Sequence, residues 1–132
     1  MSAMKPRGQK LAAAAYACIQ KRQNFPKAKE YGALAHKLPA MILQNGLAQA
    51  TGFLLAKGGQ EHSAALDDLA AVISAAEGCR AENGLALHSE IIDADTPATM
   101  RLTRCALEAS GWLKRYVQGV LRVDATGEKE WQ

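Results

Sequence analysis

Aromatic residues make up only 5% of this 132-residue chain and four residues are proline. No stretch alternates apolar and polar residues with β-branched enrichment, so a sheet is excluded as the organising element. The three cysteines, Cys18, Cys79 and Cys105, are odd in number, far apart and in no C-x-x-C pair, which excludes a disulfide framework and a zinc site and fits a reducing cytoplasm. His36, His62 and His88 have no neighbouring cysteine and no H-x-x-x-H spacing, so no metal is expected. P-loop, dinucleotide-glycine, nucleophile-elbow and H-E-x-x-H patterns are all missing. Asp67 and Asp68 are adjacent and so point apart on a helix, and Ser110 has no base at a recognisable spacing. The expectation is a chain with no catalytic residues and no cofactor. Behind Lys5 and Arg7 there is no long apolar segment, because the alanine-rich stretch 11–17 soon meets Gln20, Lys21 and Arg22; no secretory leader is expected.

What is present favours helix. Alanine, leucine, glutamine, lysine and glutamate are plentiful, and the length suits one core. The reading is an all-α, single-domain bundle of about five to six helices over residues 1–132, with 1–6 and 124–132 frayed, and without internal repeat or low-complexity linker.

Residues 38–56 carry no charge. With Gln44, Asn45, Gln49 and Thr51 inside it, the run is a poor membrane span, and it reads as a buried helix from Pro39 to Lys57 closed by Gly58-Gly59. Pro39 suits a first turn, because its φ is already helical and its missing N–H would be an orphan there. Gly46 then falls mid-helix, where it costs roughly 1 kcal/mol relative to alanine, so a close backbone contact is expected to offset it. At about 100° per residue, Ile42, Gly46 and Phe53 align, with Leu43, Leu47, Ala50 and Leu54 beside them and the Asn45 and Gln49 amides stacked at the edge. The Asn45-Gly46-Leu47 centre is therefore expected in the packing core.

A first helix is expected from Gly8 to Gln23, with Leu11, Ala15, Cys18 and Ile19 on its inner face and Tyr16 at the margin. Asn24-Phe25-Pro26 ends it, and a short helix near Lys27 to His36 follows. Ser63 to Glu77 repeats Leu66, Leu69, Ala70, Ile73 and Ala76 at helical spacing, whereas Cys79 to Ala94 reads as a weak helix or turn-rich link. Thr96 as N-cap and Pro97 at the first helical position open a last helix reaching about Val123. Its inner face is Leu102, Ala106, Ala109, Leu113, Tyr116 and Val120, beside Cys105 and Trp112. On the projection Arg101, Arg104, Arg115 and Arg122 share a strip with Glu108. A guanidinium fork can grip phosphate with two hydrogen bonds, while an Arg104–Glu108 surface pair is the structural alternative.

The net charge of +3 hides a segregation. Residues 1–37 hold eight basic residues against Glu30 alone; residues 38–100 hold Lys57 and Arg80 against eight acids. One basic and one acidic face fit a polyanion partner, self-stacking through opposite patches, or plain solvated helix surfaces.

The run Tyr31-Gly32-Ala33-Leu34-Ala35-His36-Lys37-Leu38-Pro39, then Ile42, Asn45-Gly46-Leu47-Ala48-Gln49 and Phe53-Leu54, resembles the central signature of the small helical subunit of type III-B CRISPR effectors, the Cmr complexes. Leu102-Thr103-Arg104-Cys105-Ala106-Leu107 and Trp112-Leu113-Lys114-Arg115-Tyr116 are similar to that family's closing helix, with Arg104 standing where the pattern has an acid; residues 58–95 resemble nothing in particular. The resemblance implies a noncatalytic, cytoplasmic subunit that stacks in several copies beside the backbone subunits and bridges to the large subunit, near guide and target RNA, away from any membrane. It marks Pro39, Asn45, Gly46, Leu47, Gln49, Phe53 and Trp112 as structural positions, and Lys37, Lys114 and Arg115 as candidate phosphate contacts. Charge and projection add Lys21, Arg22, Lys27, Lys29, Arg101 and Arg104. A protein-only helical adaptor assembling through opposite charge patches is the alternative.

Overall fold

The computed structural model describes residues 5–76 and 79–127. Six α-helices follow one another: α1 (Arg7–Arg22), α2 (Ala28–Asn45), α3 (Leu47–Lys57), α4 (Gln60–Ala76), α5 (Gly84–Asp93) and α6 (Thr96–Tyr116), the last running into a π-helical turn, Val117–Leu121. Among the described residues there is no strand, and the helices share one core, as the all-α reading requires. Glu77 and Glu128 to Gln132, Trp131 among them, lie outside the described residues.

In α1, Leu11, Ala15, Cys18 and Ile19 are the buried positions, the face that helical spacing predicts. Helix α4 packs against α1, α2, α3, α5 and α6 and is the centre of the bundle. Its small and branched residues, including Ala64, Ala65, Leu69, Val72 and Ile73, let neighbours approach from several sides.

The uncharged run is not one helix. Pro39 lies inside α2, which continues past it to Asn45, so no boundary falls where one was expected. The missing N–H forfeits one helical hydrogen bond, and burial of Leu38 and Ile42 on either side holds the helix together across the gap. The break comes at Gly46, with φ 89° and ψ 156°, a backbone region open essentially to glycine alone. Its N–H donates to the Ile42 carbonyl (2.9 Å) and closes α2, and its carbonyl accepts from the Ala50 N–H (3.1 Å) and opens α3. A Cβ there would meet nothing within 4 Å, so the expected close contact is absent and glycine is required by conformation. Leu43 turns away from the buried stripe of α2 and is 74% exposed, and beyond the bend, which resets the helical phase, Phe53 is 39% exposed rather than in the core.

The close approach occurs instead at Gly32, where a Cβ would stand 2.5 Å from Val123 Cγ1. The turn-rich link resolves into α5, whose start Asn83 caps by accepting from the Ala86 N–H (2.9 Å), while the Gly84 N–H donates to Asp67 Oδ1 (2.7 Å). Helix α6 is capped by Asp95, which accepts from the Ala98 N–H (2.9 Å), and not by Thr96. It ends as an α-helix at Tyr116, short of Val123, because the π turn intervenes and Arg122 adopts left-handed φ 59°.

Candidate nucleic-acid interface

Helix α1 runs beside the second half of α6 in the same direction: Arg7, at the start of α1, pairs with Glu108 past the middle of α6, and Tyr16 further along α1 meets Tyr116 at the end of α6, ring centroids 5.4 Å apart. The N-terminal half of α2 lies against the chain beyond the π turn, where Gly32 abuts Val123 and His36 Nε2–H donates to the Val123 carbonyl (2.9 Å). The end of α1, the start of α2 and the end of α6 therefore converge. These elements carry Lys21, Lys27, Lys29, Lys114 and Arg115.

Lys21, Lys29 and Arg115 are exposed and Lys114 is half-buried. Lys27 is exposed and pairs loosely with Glu30 at 3.9 Å, an interaction of little energetic weight. Lys37 is exposed further along α2. The Arg115 guanidinium lies over the Trp112 ring, 4.9 Å from its centroid. Arg104 precedes Arg115 by about 16 Å of helix rise, so Arg101 and Arg104 sit towards the opposite end of the same exposed side. Arg101 keeps acidic company, lining a cavity of about 390 Å³ with Glu90 and Asp93. Glu108 pairs with Arg7 rather than with Arg104, the pairing set out as the structural alternative, and Arg122 leaves the arginine strip because the helix has ended before it.

Arg22 does not join the exposed cations. Its Nε and Nη2 donate to Asp68 Oδ2 and Oδ1 at 2.9 and 2.8 Å, and the Tyr31 hydroxyl donates to Asp68 Oδ2 at 2.6 Å. Asp68 is 6% exposed, and Phe25 and Tyr31 both lie within cation–π distance of the guanidinium. This network ties α1, α2 and α4 together, so Arg22 serves the fold and is withdrawn from the phosphate-contact set. The hydrogen bond to Asp68 raises the Arg22 pKa further. Burial and the Asp68 charge push the Tyr31 hydroxyl well up and the Cys18 thiol up to about 12, so neither is a nucleophile at neutral pH.

Of the structural positions, Leu47 is buried, Pro39 and Trp112 are half-buried, and Asn45, Gly46 and Gln49 are exposed. Only Leu47 of the Asn45-Gly46-Leu47 centre is core. Met41, Asn45, Gln49 and Phe53 line a shallow groove of about 240 Å³ across the α2–α3 bend. Sequence reasoning missed Asp68, the His36–Val123 bond and the Thr51 Oγ1–His88 Nδ1 contact (2.7 Å) joining α3 to α5; the one available signal was that Asp68, of the adjacent Asp67-Asp68 pair, falls at an inward helical position of α4. Among the described residues no group of three or more His, Cys, Asp or Glu is placed to hold a metal, and no helix is long and apolar enough to cross a membrane.

Residues 7–120 match the family model described as CRISPR-associated protein (Cas_Cmr5). The chain belongs to the Cas_Cmr5 family. A Cas_Cmr5 relative from Thermus thermophilus, described as CRISPR system Cmr subunit Cmr5, is 34% identical over 118 residues, covering 89% of this chain and 98% of its own. The crystal structure of a CRISPR-associated Cmr5 family protein from the same organism superposes with a TM-score of 0.81 at 31% identity, over 89% of this chain and 99% of that one. The Cas_Cmr5 match runs through residues 58–95, the stretch that resembled nothing by sequence motif.

Proposed function

We propose that the chain is a noncatalytic small subunit of a type III-B CRISPR ribonucleoprotein, in which several copies stack beside the backbone subunits, bridge to the large subunit and contact guide and target RNA phosphates in the cytoplasm. The observation that carries this is the combination of family membership with a set of exposed cations at one end of the bundle: Lys21, Lys27, Lys29 and Arg115, with half-buried Lys114 among them and Lys37 exposed further along α2. Arg101 and Arg104 extend the same positive side along α6. Contacts of this kind are independent of sequence, position the nucleic acid and weaken with salt. The three cysteine thiols are buried and offer no accessible nucleophile, and in this reading RNA cleavage falls to other subunits.

The test reverses Lys114 and Arg115 to glutamate together and measures RNA retained by the assembled complex. Reduced RNA retention at unchanged helicity supports the reading, and full retention across a salt series removes the phosphate role from these two residues. The adaptor alternative, assembly through opposite charge patches, draws on the exposed acidic Glu90 and Asp93 of α5, which lie beside the exposed Ile92. Assembly that survives nuclease treatment, with no bound RNA, favours it.

A further inference from the structure

Six aromatic residues are described, and they divide into two uses. Phe25 and Tyr31 pack about Arg22, and Phe53 meets His62 and Lys57. The other three, Tyr16, Tyr116 and Trp112, meet along the α1–α6 seam, where Tyr16 reaches solvent and Tyr116 and Trp112 are half-buried. Tyr16 is 44% exposed and stands edge-on to Tyr116; Tyr116 stacks on Trp112 with centroids 5.7 Å apart and planes 25° apart; Arg115 covers Trp112. The result is a continuous row of four flat groups, ring, ring, ring and guanidinium, open to solvent at Tyr16. In a chain so poor in aromatics, three of the six described rings line this seam, Tyr16 exposed and Tyr116 and Trp112 half-buried against the core.

The row's surroundings indicate its occupant. Arg115 and Lys114 supply positive charge at one end, the α6 side that carries Arg101 and Arg104 continues it, and the carboxylate beside the row, Glu108, is neutralised by Arg7. Cations interleaved with exposed rings suit single-stranded nucleic acid: phosphates meet the charges, and an unpaired base, whatever its identity, has a π-face to lay on a ring or guanidinium plane. We propose that Tyr16, with Tyr116 and Trp112 behind it, is a stacking platform for an unpaired base of single-stranded RNA. This rests on the RNA-contact reading and adds a base contact to its phosphate contacts.

The experiment uses the full chain with the other tryptophan changed, Trp131→Phe, so that emission reports Trp112. It is titrated with a single-stranded RNA oligomer and with an abasic phosphodiester of equal length. The RNA is expected to quench Trp112 saturably and to bind more tightly than the abasic strand. Tyr16→Ala, at an exposed position, is expected to weaken RNA binding about five- to hundredfold while leaving abasic binding and its salt dependence unchanged, and Tyr16→Phe to restore it. Equal RNA affinity for Tyr16→Ala and its parent, or equal affinity of the parent for both strands, overturns the stacking proposal and leaves the phosphate reading standing. Abasic binding that ignores salt and the Lys114→Glu/Arg115→Glu reversal overturns the phosphate reading, and no binding of either strand overturns both.

Discussion

Replacing Arg22 by alanine separates a fold-holding cation from an RNA-facing one. Asp68 accepts three hydrogen bonds, two from Arg22 and one from Tyr31, at 6% exposure. Truncation leaves a buried carboxylate facing neutral groups alone, the Tyr31 hydroxyl and the Cys18 thiol, and removes the guanidinium from beside Phe25 and Tyr31. Breaking a buried pair by deleting one partner costs about 3–5 kcal/mol. The Arg22 side chain keeps 19% of its exposure, so water reaches the site and the lower end applies, about 3 kcal/mol. For a chain of this length that lowers Tm by about 10 °C. The assay is urea unfolding followed by far-UV circular dichroism. The triple change Arg22→Met/Asp68→Leu/Tyr31→Phe removes both charges and the buried hydroxyl that would otherwise lose its acceptor, and its expected loss is within about 1 kcal/mol of the parent, because apolar replacement of a whole buried network is close to neutral. An Arg22→Ala variant within about 0.5 kcal/mol of the parent refutes the structural assignment, as a surface cation would behave in that way.

Gly46→Ala should lose about 1–3 kcal/mol in the same unfolding assay, because alanine must adopt φ 89°, ψ 156°; a gain would show that the α2–α3 bend is absent. Gly32→Ala places a methyl 2.5 Å from Val123 Cγ1 and 2.7 Å from its Cβ, and a lowered Tm, only partly recovered when Val123→Ala is added because the Cβ remains, is the expected pattern. Alkaline stability follows from the raised Cys18 and Tyr31 pKa values. Folding favours their protonated forms, so this stabilisation is whole below about pH 9, where the unfolded thiol begins to ionise, and is lost as pH rises towards about 12. Thermal melts across that range should show Tm falling above pH 9, less so in Cys18→Ala, and a flat profile contradicts the burial of these groups.

Much of the fold is legible where helical periodicity acts alone. The buried face of α1 and the Leu102, Ala106, Ala109 and Leu113 row of α6 follow from spacing, since a bundle helix buries one stripe. The uncharged run misleads because both of its punctuation residues admit two readings. Proline is tolerated inside α2 when tertiary packing makes up for one lost hydrogen bond, and glycine marks either a crossing or a positive-φ joint; only the backbone distinguishes them. Asn83-Gly84 did carry a cap signal for α5, hidden in a stretch with few periodic residues. Among the candidate site residues, exposed lysines were readable as cations, but their partners were not. Arg22 and Lys21 are neighbours of equal charge in sequence, and which one turns inward depends on Asp68, 46 residues away.

The central claim, that this surface meets RNA through its phosphates, is tested most directly by the salt dependence of single-stranded RNA binding to the full chain. Each phosphate neutralised adds about −0.7 to the slope of log K against log salt, so Lys114→Glu/Arg115→Glu should weaken binding at low salt and make the slope shallower by about 1.4. A slope identical to the parent's, at unchanged helicity, contradicts the account.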